Sequence, residues 1–348
     1  MINFRSHLIL TKTPIRHALS QLTKLGIDAI LFVIDEEDKL IGSITDGDVR
    51  RGLVKGILID QPINDIIRDS PKFIRKGEYE LNKVIDYREE NFRIIPVLDA
   101  EDKIINVINF RHLRSYLPID AVIMAGGRGQ RLSPLTDTTP KPLLKVGEKS
   151  IIEHNLDRLC FFGIDDFWIS INYLGNQIVE KLGKGEDRNI TINYVNEEKP
   201  LGTIGAISNI GKFNHDYVLV TNSDILTNLD YEDFFIDFIK NKADMGVVTI
   251  PYSIKVPYAV LETKNGQILN FKEKPTYTYY SNGGIYLFKK SVFDLIPKNA
   301  FYNATDLMET LINKNYKVFS YPFIGYWLDM GSHEDYNKAN TEVKNIKF

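Results

Sequence analysis

The chain has 348 residues, with 43 Lys and Arg against 46 Asp and Glu and a formal net charge of −3. That length suits about two domains, and the near balance of charge argues against the basic face of a dedicated nucleic-acid binder. The single cysteine excludes an intramolecular disulfide, and no apolar run approaches the ~18 residues of a membrane span, so we expect a cytoplasmic protein that binds neither nucleic acid nor membrane.

An internal repeat occupies the first 117 residues. Residues 30–53 and 94–117 match at an offset of 64. In each copy an apolar run, an acidic turn and a second apolar run precede a charged segment, which predicts a two-stranded hairpin followed by a helix. Further helical segments are expected before the hairpins, over residues 14–25 and 78–90.

This doubled unit resembles a tandem pair of CBS domains. In that family a hydroxyl and a carboxylate contact a ribose, and Thr45 and Asp48 stand at the matching positions of the first copy. The second copy has Asn109 and His112 there. The resemblance therefore implies at most one adenine-nucleotide site per chain, and the alternative is a purely structural or dimerising module.

A different pattern begins at Pro118, which marks a break. Apolar strands alternate with amphipathic helices, and this predicts a Rossmann-like α/β domain with a mostly parallel, mixed sheet whose ligands bind beyond the carboxyl ends of the strands. We therefore expect a smaller α+β domain over residues 1–117 and the α/β domain over 118–348. The predicted strands lie within 120–127, 165–172, 189–197 and 217–224, and the predicted helices within 150–163, 175–183 and 234–242.

A glycine-rich run, AGGRGQRL, starts at Ala125, where the first of these strands ends. Gly126, Gly127 and Gly129 have no Cβ, so their backbone N–H groups can approach a polyphosphate closely. Glycine turns alone are common, and this one lacks the GK[ST] of a Walker loop. The combination with the SPLT and PKPLL that follow is far more specific.

Two cations accompany the glycines. Arg131 lies in the same run, and Lys141 lies between two prolines that fix its backbone. With them, residues 119–348 resemble the sugar-1-phosphate nucleotidyltransferases, or nucleotide-sugar pyrophosphorylases. The resemblance implies that the glycine loop from Ala125 and Arg131 hold a nucleoside triphosphate, and that Lys141 contacts phosphate.

The segment PLGTIGA places Gly202 and Thr203 in a turn that we expect to open a helix and to approach the base or ribose. The alternative is that Thr203 is a helix cap. The form LGTxGA is similar to the guanylyltransferase branch of the family, and Gly205 stands where thymidylyltransferases tend to carry Gln. The resemblance implies GTP, with UTP or CTP as the alternatives.

Two aspartates are the predicted Mg²⁺ ligands. Asp224 follows the apolar strand YVLVTNSD, where a carboxylate would hold the ion against a triphosphate. Asp329 resembles the metal-binding residue of the family's late W-x-D-[IM]-G element. A lone Asp at a strand end is otherwise a turn former or a cap.

The sugar-phosphate side of the site is expected at Glu273 and Lys274 in FKEKP and at Asn282 and Gly283 in NGGIY. Glu273 would accept hydrogen bonds from sugar hydroxyls, Lys274 would face the phosphate, and Asn282 can both donate and accept. Gly283 stands where many relatives have Ala. The alternative for residues 272–274 is a solvated run of charges.

The resemblance thus implies an enzyme that joins a nucleoside triphosphate and a hexose or hexosamine 1-phosphate into a nucleotide-sugar for surface glycan biosynthesis, releasing pyrophosphate. It also implies a homo-oligomer. One alternative is a non-catalytic sensor of nucleotide-sugars fused to CBS domains. Another is a glycosyltransferase, which usually carries a D-x-D metal motif where this chain has Asn222-Ser223-Asp224.

Overall fold

The computed structural model describes residues 4–344, which form two compact units. The first comprises the chain up to Ile119 together with Leu159–Asp166 and Gly183–Ile192, and the remaining residues form the second. The boundary predicted at residue 118 instead assigns both short segments to the second domain. Between residues 4 and 344, no helix combines the length and the apolar character needed to cross a membrane.

The first unit contains two sheets, one for each copy of the repeat. The orders are β1-β2-β3-β4 and β5-β6-β7, and each contains an antiparallel hairpin, β2–β3 or β6–β7. The predicted repeat is present in the strands, since β2 and β3 recur 64 residues later as β6 and β7. The elements are β1 (Leu8–Leu10), α1 (Ile15–Leu25), β2 (Ile30–Ile34), β3 (Leu40–Thr45), α2 (Asp46–Val54), β4 (Arg68–Asp69), β5 (Ile74–Arg75), α3 (Leu81–Glu89), β6 (Ile94–Leu98) and β7 (Ile104–Asn109).

The helix predicted after the second hairpin is wrong, because residues 110–117 form turns and irregular structure. In the first copy the Asp48 carboxylate helps to cap α2, but the matching residue of the second copy is His112. The Asn109 Oδ1 accepts the Arg111 N–H at 3.0 Å, as an N-cap residue would, but no carboxylate at position 112 completes a capping box. Pro118 also disfavours helical backbone in its predecessor.

The segment Leu159–Asp166 belongs to the first unit because polar side chains of that unit hold it. The Tyr116 hydroxyl donates to Asp165 at 2.5 Å, and the Lys76 ammonium pairs with the same carboxylate at 3.0 Å. Burial lowers the pKa of Lys76, but the charges of Asp165 and Asp166 outweigh it and raise that pKa to about 12. The ion pair therefore persists throughout the neutral range.

The second unit is built on a seven-stranded mixed sheet in the order β12-β11-β8-β13-β18-β15-β19. Strands β8 and β11 are parallel, as are β15 and β19, whereas β18 is antiparallel to β13 and to β15. The elements are β8 (Ile119–Met124), β9 (Lys145–Val146), β10 (Lys149–Ser150), α4 (Ile151–Phe161), β11 (Asp166–Ile171), α5 (Gly175–Leu182), β12 (Thr191–Asn196), β13 (Tyr217–Asn222), β14 (Ile225–Thr227), α6 (Tyr231–Lys240), β15 (Met245–Lys255), β16 (Val260–Lys264), β17 (Gln267–Lys272), β18 (Thr276–Lys289), α7 (Ala304–Asn313), β19 (Val318–Pro322), β20 (Trp327–Asp329) and α8 (His333–Glu342).

The predicted α/β fold is confirmed, and its apolar core positions the polar strand ends. Val122 of β8, Val220 of β13 and Phe288 of β18 are buried together with Leu307 and Leu311, which α7 contributes on one face. Burial of these residues fixes the strands in register. The polar residues that follow β8 and β13 are thereby held at one edge of the sheet, as expected for a doubly wound fold.

Candidate active site

A cavity of about 550 Å³ lies at the carboxyl ends of β8 and β13. All of its lining residues belong to the second unit. Ala125 is buried beneath it and donates its N–H to the Ser170 carbonyl at 2.9 Å. Of the residues predicted from sequence to bind the triphosphate or its metal, the lining includes Gly126, Gly127, Gly129, Arg131, Lys141, Gly202, Thr203 and Asp224.

The three loop glycines are required for different reasons. Gly129 has a φ of +65°, and a Cβ there would lie 3.0 Å from the Cβ of Lys141. A Cβ on Gly126 would lie 2.8 Å from the carboxylate of Glu197. A Cβ on Gly127 would meet no atom within 4 Å, so the fold itself does not require glycine at this position. The open space over Gly127 faces the cavity that the loop lines.

Lys141 reaches across the floor of the cavity to Asp224. It begins a short 3₁₀ turn, Lys141–Leu143, directly after Pro140, which presets the backbone. Its ammonium donates to Oδ2 of Asp224, and both side chains are largely buried, with 13% and 22% of their areas exposed. The cavity therefore holds a shielded ion pair whose attraction is stronger than that of a surface pair.

Asp224 and Asp329 come from neighbouring strands. Asp224 immediately precedes β14, which pairs antiparallel with β20 so that Ile225 lies opposite Asp329. The Oδ1 atom of Asp224 is buried, and within residues 4–344 no group donates a hydrogen bond to it. A buried carboxylate oxygen with a free lone pair is an expected ligand for a hard cation.

The pKa of Asp329 is raised to about 6. Partial burial of the carboxyl contributes most and the negative charge of Asp224 contributes next, while the cations Lys141 and Arg131 oppose the increase. The repulsion between the two carboxylates therefore makes Asp329 harder to ionise. A divalent ion bound between them would remove that repulsion.

Arg131 and Asp329 both lie close to Gly331. A Cβ on that glycine would lie 3.5 Å from a guanidinium nitrogen of Arg131 and 3.8 Å from both carboxylate oxygens of Asp329. The glycine of the W-x-D-M-G element thus lies beside a cation and beside the second predicted metal ligand, at distances that a Cβ could also accommodate. This contact joins the glycine loop to the end of β20.

Glu197 is a lining residue that the sequence interpretation missed. It is 6% exposed, accepts hydrogen bonds from the Ser170 hydroxyl and, at 2.9 Å, from the Leu201 N–H, and lies beneath Gly126. In the sequence it stands in the run NEEKP, which reads as a solvated charge cluster. The signal available was its position directly after β12, at the edge of the sheet where ligands bind.

The LGT turn is anchored to the start of α7 rather than to a helix of its own. The Thr203 hydroxyl accepts the N–H of Ala304, the first residue of α7, at 2.8 Å, and its own N–H donates to Asn303 at 3.2 Å. Thr203 is therefore a helix cap, although not of the expected helix, because only a 3₁₀ segment, Gly205–Asn209, follows it. Gly202 has a φ of +79° that favours glycine.

Glu273 and Lys274 are not among the residues that line the cavity. Both are exposed in the turn between β17 and β18, where Lys274 has a positive φ of 44°. The structure places them in an exposed turn outside the lining of the cavity that holds the loop glycines, Lys141 and Asp224. Their assignment to the sugar phosphate remains a prediction.

Asn282 and Gly283 lie on β18, outside the cavity. Asn282 lines a separate cavity of about 720 Å³ with Thr249 and Ser320. The Gly283 carbonyl accepts the Trp327 indole N–H at 2.9 Å, which ties it to the strand that carries Asp329. A Cβ at 283 would lie 2.8 Å from a backbone oxygen, so the replacement of the family's usual Ala has a steric reason.

In the first unit, Thr45 and Asp48 bond to one another. The Asp48 carboxylate accepts the Thr45 N–H at 2.9 Å and its hydroxyl at 2.6 Å, and its other oxygen pairs with Arg51. This arrangement is a capping box at the start of α2. The Thr45 hydroxyl, which donates to Asp48, keeps lone pairs with which it could still accept a hydrogen bond from a ribose hydroxyl.

Comparison with known proteins places these features in a family. A family model described as nucleotidyl transferase matches residues 120–346, and a CBS domain model matches residues 8–55. The first covers well over half of the chain. The chain belongs to the nucleotidyl transferase family. Members of this family generally use a divalent metal ion, and the unpartnered Oδ1 of Asp224 fits such an ion.

The names of individual relatives are consistent with this family assignment. A mannose-1-phosphate guanylyltransferase of Mycobacterium tuberculosis is 30% identical over 65% of this chain and 64% of its own length. A UTP–glucose-1-phosphate uridylyltransferase of Synechocystis is 29% identical over 66% of this chain and 65% of its own. The chain therefore spans somewhat less than two thirds of the length of either relative.

A solved structure supports the fold. A candidate glucose-1-phosphate thymidylyltransferase of Bacillus anthracis, crystallised in complex with a sucrose, superposes with a TM-score of 0.53 at 27% identity. The match covers 66% of this chain and 97% of the Bacillus chain. The α/β unit described above is thus a nucleotidyl transferase fold with a CBS domain ahead of it.

Proposed function

We propose that this protein is a sugar-1-phosphate nucleotidyltransferase. One observation carries the proposal: a glycine loop, the cations Arg131 and Lys141 and the carboxylate of Asp224 line the same cavity. A second carboxylate, that of Asp329, lies beside Gly331, which also lines this cavity. A polyphosphate requires both close backbone approach and neutralisation of its charge. A non-catalytic sensor would have no need for a paired metal site.

The reaction joins a nucleoside triphosphate and a sugar 1-phosphate. An oxygen of the sugar phosphate attacks the α-phosphorus, the bond from that phosphorus to the bridging oxygen of the β-phosphate breaks, and pyrophosphate leaves in line. The attacking phosphate is already ionised at neutral pH, so no general base is needed. Arg131 and Lys141 align the phosphates and stabilise the charge on the leaving pyrophosphate.

The divalent ion that we assign to the site is Mg²⁺. Asp224 and Asp329 would hold it, and it would neutralise triphosphate charge that the two cations alone cannot balance. Lys141 is paired with Asp224 in this structure. When Asp224 binds Mg²⁺ instead, the Lys141 ammonium becomes free to contact a phosphate. The ion pair with Asp224 therefore holds Lys141 near the position where the phosphate would bind.

The segment LGTIGA supports GTP as the nucleotide, since its form is similar to the guanylyltransferase branch of the family. The Mycobacterium relative, a guanylyltransferase, agrees with this preference.

A hexose 1-phosphate, mannose-like or a hexosamine, is the proposed acceptor. The mannose-1-phosphate activity named for the Mycobacterium relative supports it. Asn282 offers both a donor and an acceptor to sugar hydroxyls, and Gly283 beside it is tied to the Asp329 strand through Trp327. Glu273 and Lys274 remain the proposed contacts for the sugar and its phosphate.

A coupled pyrophosphate-release assay tests the proposal. The purified chain is supplied with Mg²⁺, each of GTP, UTP, CTP and dTTP, and each of several hexose and hexosamine 1-phosphates. We expect pyrophosphate release with GTP and a mannose-like or hexosamine 1-phosphate. Selective use of UTP or CTP would keep the reaction and overturn the nucleotide, and no release in any combination would overturn the enzyme.

A further inference from the structure

A second cavity adjoins the one that holds the loop glycines, Lys141 and Asp224. It has a volume of about 380 Å³, and all of its lining residues belong to the second unit. These residues are Arg128, Gln130, Ser133, Thr136, Asp137 and Tyr173. Because Arg128 and Gln130 line the first cavity as well, the two cavities meet at the glycine loop.

Arg128 is an exposed residue of that loop, between Gly127 and Gly129. Its guanidinium lies over the ring of Tyr173, with 5.2 Å between the guanidinium carbon and the ring centroid. Tyr173 closely follows β11, the parallel neighbour of the strand β8 that leads into the loop. The two side chains therefore meet at the carboxyl edge of the sheet, where ligands bind in folds of this class.

Hydrogen bonds fix the position of the Tyr173 ring. Its hydroxyl donates to the Asp137 carbonyl at 2.8 Å, and the side-chain amide of Gln177, in α5, donates to the Thr138 carbonyl at 3.0 Å. Both bonds tie the segment after β11 to the chain that follows the glycine loop. The ring is thus a firm support for the Arg128 guanidinium, which it attracts as an aromatic face attracts a cation.

The contact with Tyr173 leaves the N–H groups of Arg128 available. Across the described residues, 4–344, no carboxylate forms an ion pair with Arg128 and no acceptor receives a hydrogen bond from its side chain. The Lys141 ammonium, by contrast, already pairs with Asp224. A guanidinium carries five N–H donors in a planar fork that matches the oxygens of a phosphate. Arg128 is therefore held in place with its donors unused.

The balance of charge favours a third cation at the phosphates. The proposed metal ligands, Asp224 and Asp329, bring two negative charges that Mg²⁺ would balance. Arg131 and Lys141 must then neutralise the triphosphate and the attacking sugar phosphate between them. Arg128 is the third cation that lines the cavities. A further positive charge is most useful at the β- and γ-phosphates, which carry the charge of the leaving pyrophosphate.

We propose that Arg128 binds the pyrophosphate end of the nucleotide. Its guanidinium contacts the β- and γ-phosphates from the side of the second cavity, and it retains the pyrophosphate when the bond to the α-phosphorus breaks. The assignment of the distal phosphates, and not the sugar phosphate, follows from the lining of the second cavity, which includes neither Glu273 nor Asn282. This inference rests on the proposed function and extends it to a residue of the loop itself.

Titration calorimetry of the full chain with Mg²⁺ tests this role. The ligands are pyrophosphate, GTP and GMP, and GMP is the reference because it lacks the β- and γ-phosphates. The wild type is compared with Arg128→Ala, Arg128→Lys and Tyr173→Leu. Lys145→Ala, which removes an exposed positive charge outside both cavities, is the control. Thermal melts establish that each variant is folded, and the pyrophosphate titration does not depend on which base the site accepts.

We expect Arg128→Ala to raise the dissociation constants of pyrophosphate and GTP by ~10–100-fold, the range for hydrogen bonds to a charged group, and to leave GMP binding unchanged. Arg128→Lys should lie between, since it keeps the charge and loses the fork. Tyr173→Leu should weaken pyrophosphate binding by ~2–5-fold. The control should match the wild type.

Unchanged pyrophosphate binding in Arg128→Ala would overturn the proposal, as would an equal loss of GMP binding or a wild type that binds no pyrophosphate. Failure of the proposed function has a different signature. A wild type that binds pyrophosphate through Arg128 but forms no nucleotide-sugar would overturn the enzyme and leave Arg128 as a phosphate-binding residue.

Discussion

The backbone N–H of Met330 donates to the carbonyl oxygen of Asp224 at 3.0 Å. With the pairing of Ile225 and Asp329, this bond fixes the separation of the two proposed metal ligands through main chain rather than through mobile side chains. Their side chains can therefore be neutralised without moving the strands. That property makes the metal site testable by isosteric substitution.

We expect Asp224→Asn and Asp329→Asn each to lower kcat by at least ~10²-fold, the loss typical of one preorganised charged group. The physical reason is that Mg²⁺ loses an anionic ligand where triphosphate charge must be neutralised. Initial rates across a Mg²⁺ titration measure the effect. Asp216→Asn, which breaks an exposed ion pair with Lys290, is the control and should leave the rate unchanged. Near wild-type rates in either site variant would remove that residue from the metal site.

The variants Gly127→Ala and Gly129→Ala should differ in stability, but both should lose activity. An alanine at 127 meets open space, so we expect a stability change within ~0.5 kcal/mol. At 129 the positive φ and the crowding against Lys141 should cost ~1–2 kcal/mol. Both should impair turnover, the first because its Cβ occupies the space of the phosphates. Thermal melts and kinetics on both variants distinguish the two causes, and an active Gly127→Ala would contradict close phosphate approach there.

Arg131→Ala and Lys141→Ala should each reduce kcat/KM for the nucleotide by ~10²–10³-fold, since each removes one fixed positive charge from the phosphate site. Lys145→Ala, an exposed lysine in the same segment, serves as the control. Kinetics with the nucleotide and the sugar phosphate varied in turn assign the defect. A change confined to KM for the sugar phosphate would move these residues to the other substrate.

Glu197→Gln should lower kcat/KM for GTP and UTP alike by ~10-fold, because the amide nitrogen replaces one of the two carboxylate oxygens that accept from Ser170 and Leu201 beneath the glycine loop. Kinetics with each nucleotide measure the effect. Glu198→Gln, at the adjacent exposed position, is the matched control. A loss confined to GTP would mean instead that Glu197 reads the base.

Asp48→Ala should destabilise the first unit by ~1 kcal/mol at neutral pH, the usual value of a lost cap. Burial raises the pKa of Asp48, but hydrogen bonds from Thr45 and the pairing with Arg51 outweigh it and hold the pKa below the ordinary 3.8. A depressed carboxyl pKa stabilises the fold above the unfolded value, so the difference from wild type should vanish as pH falls below ~4. Melts of Asp48→Ala and of the exposed Asp46→Ala, followed from pH 7 to 3, check this.

The same variant decides what the CBS domain binds. Calorimetry of the full chain with AMP, ADP and ATP is preferred to a fragment of residues 1–117, because Leu159–Asp166 completes the first unit. Binding that disappears in Asp48→Ala would support the ribose role. No heat with any nucleotide would leave Thr45 and Asp48 as a cap.

The predictable part of the molecule is its local pattern. The offset of 64 was enough to place β2, β3, β6 and β7, because alternating apolar runs read directly as strands. The helix after β7 could not be excluded by periodicity alone. Its absence agrees with the missing carboxylate at His112 and with Pro118, which disfavours helical backbone in Leu117.

Contacts between residues that are distant in the sequence could not be predicted from it. Thr203 caps a helix that begins about a hundred residues later, at Ala304, and nothing in LGTIGA points to that contact. Glu197 was hidden because burial, rather than residue type, separates it from its charged neighbours. The loop glycines, Lys141 and Asp224 do line one cavity, and the sequence singled them out through motifs that resemble the nucleotidyltransferase family.

The central claim is that the cavity transfers a nucleotidyl group to a sugar phosphate. The most direct test is mass-spectrometric product analysis after incubating the chain with GTP, Mg²⁺ and mannose 1-phosphate, or a hexosamine 1-phosphate, with Asp224→Asn in parallel. The account predicts a GDP-sugar and pyrophosphate in equal amounts from the wild type and almost none from the variant. GDP and inorganic phosphate as the products, or no nucleotide-sugar with any nucleoside triphosphate, would contradict it.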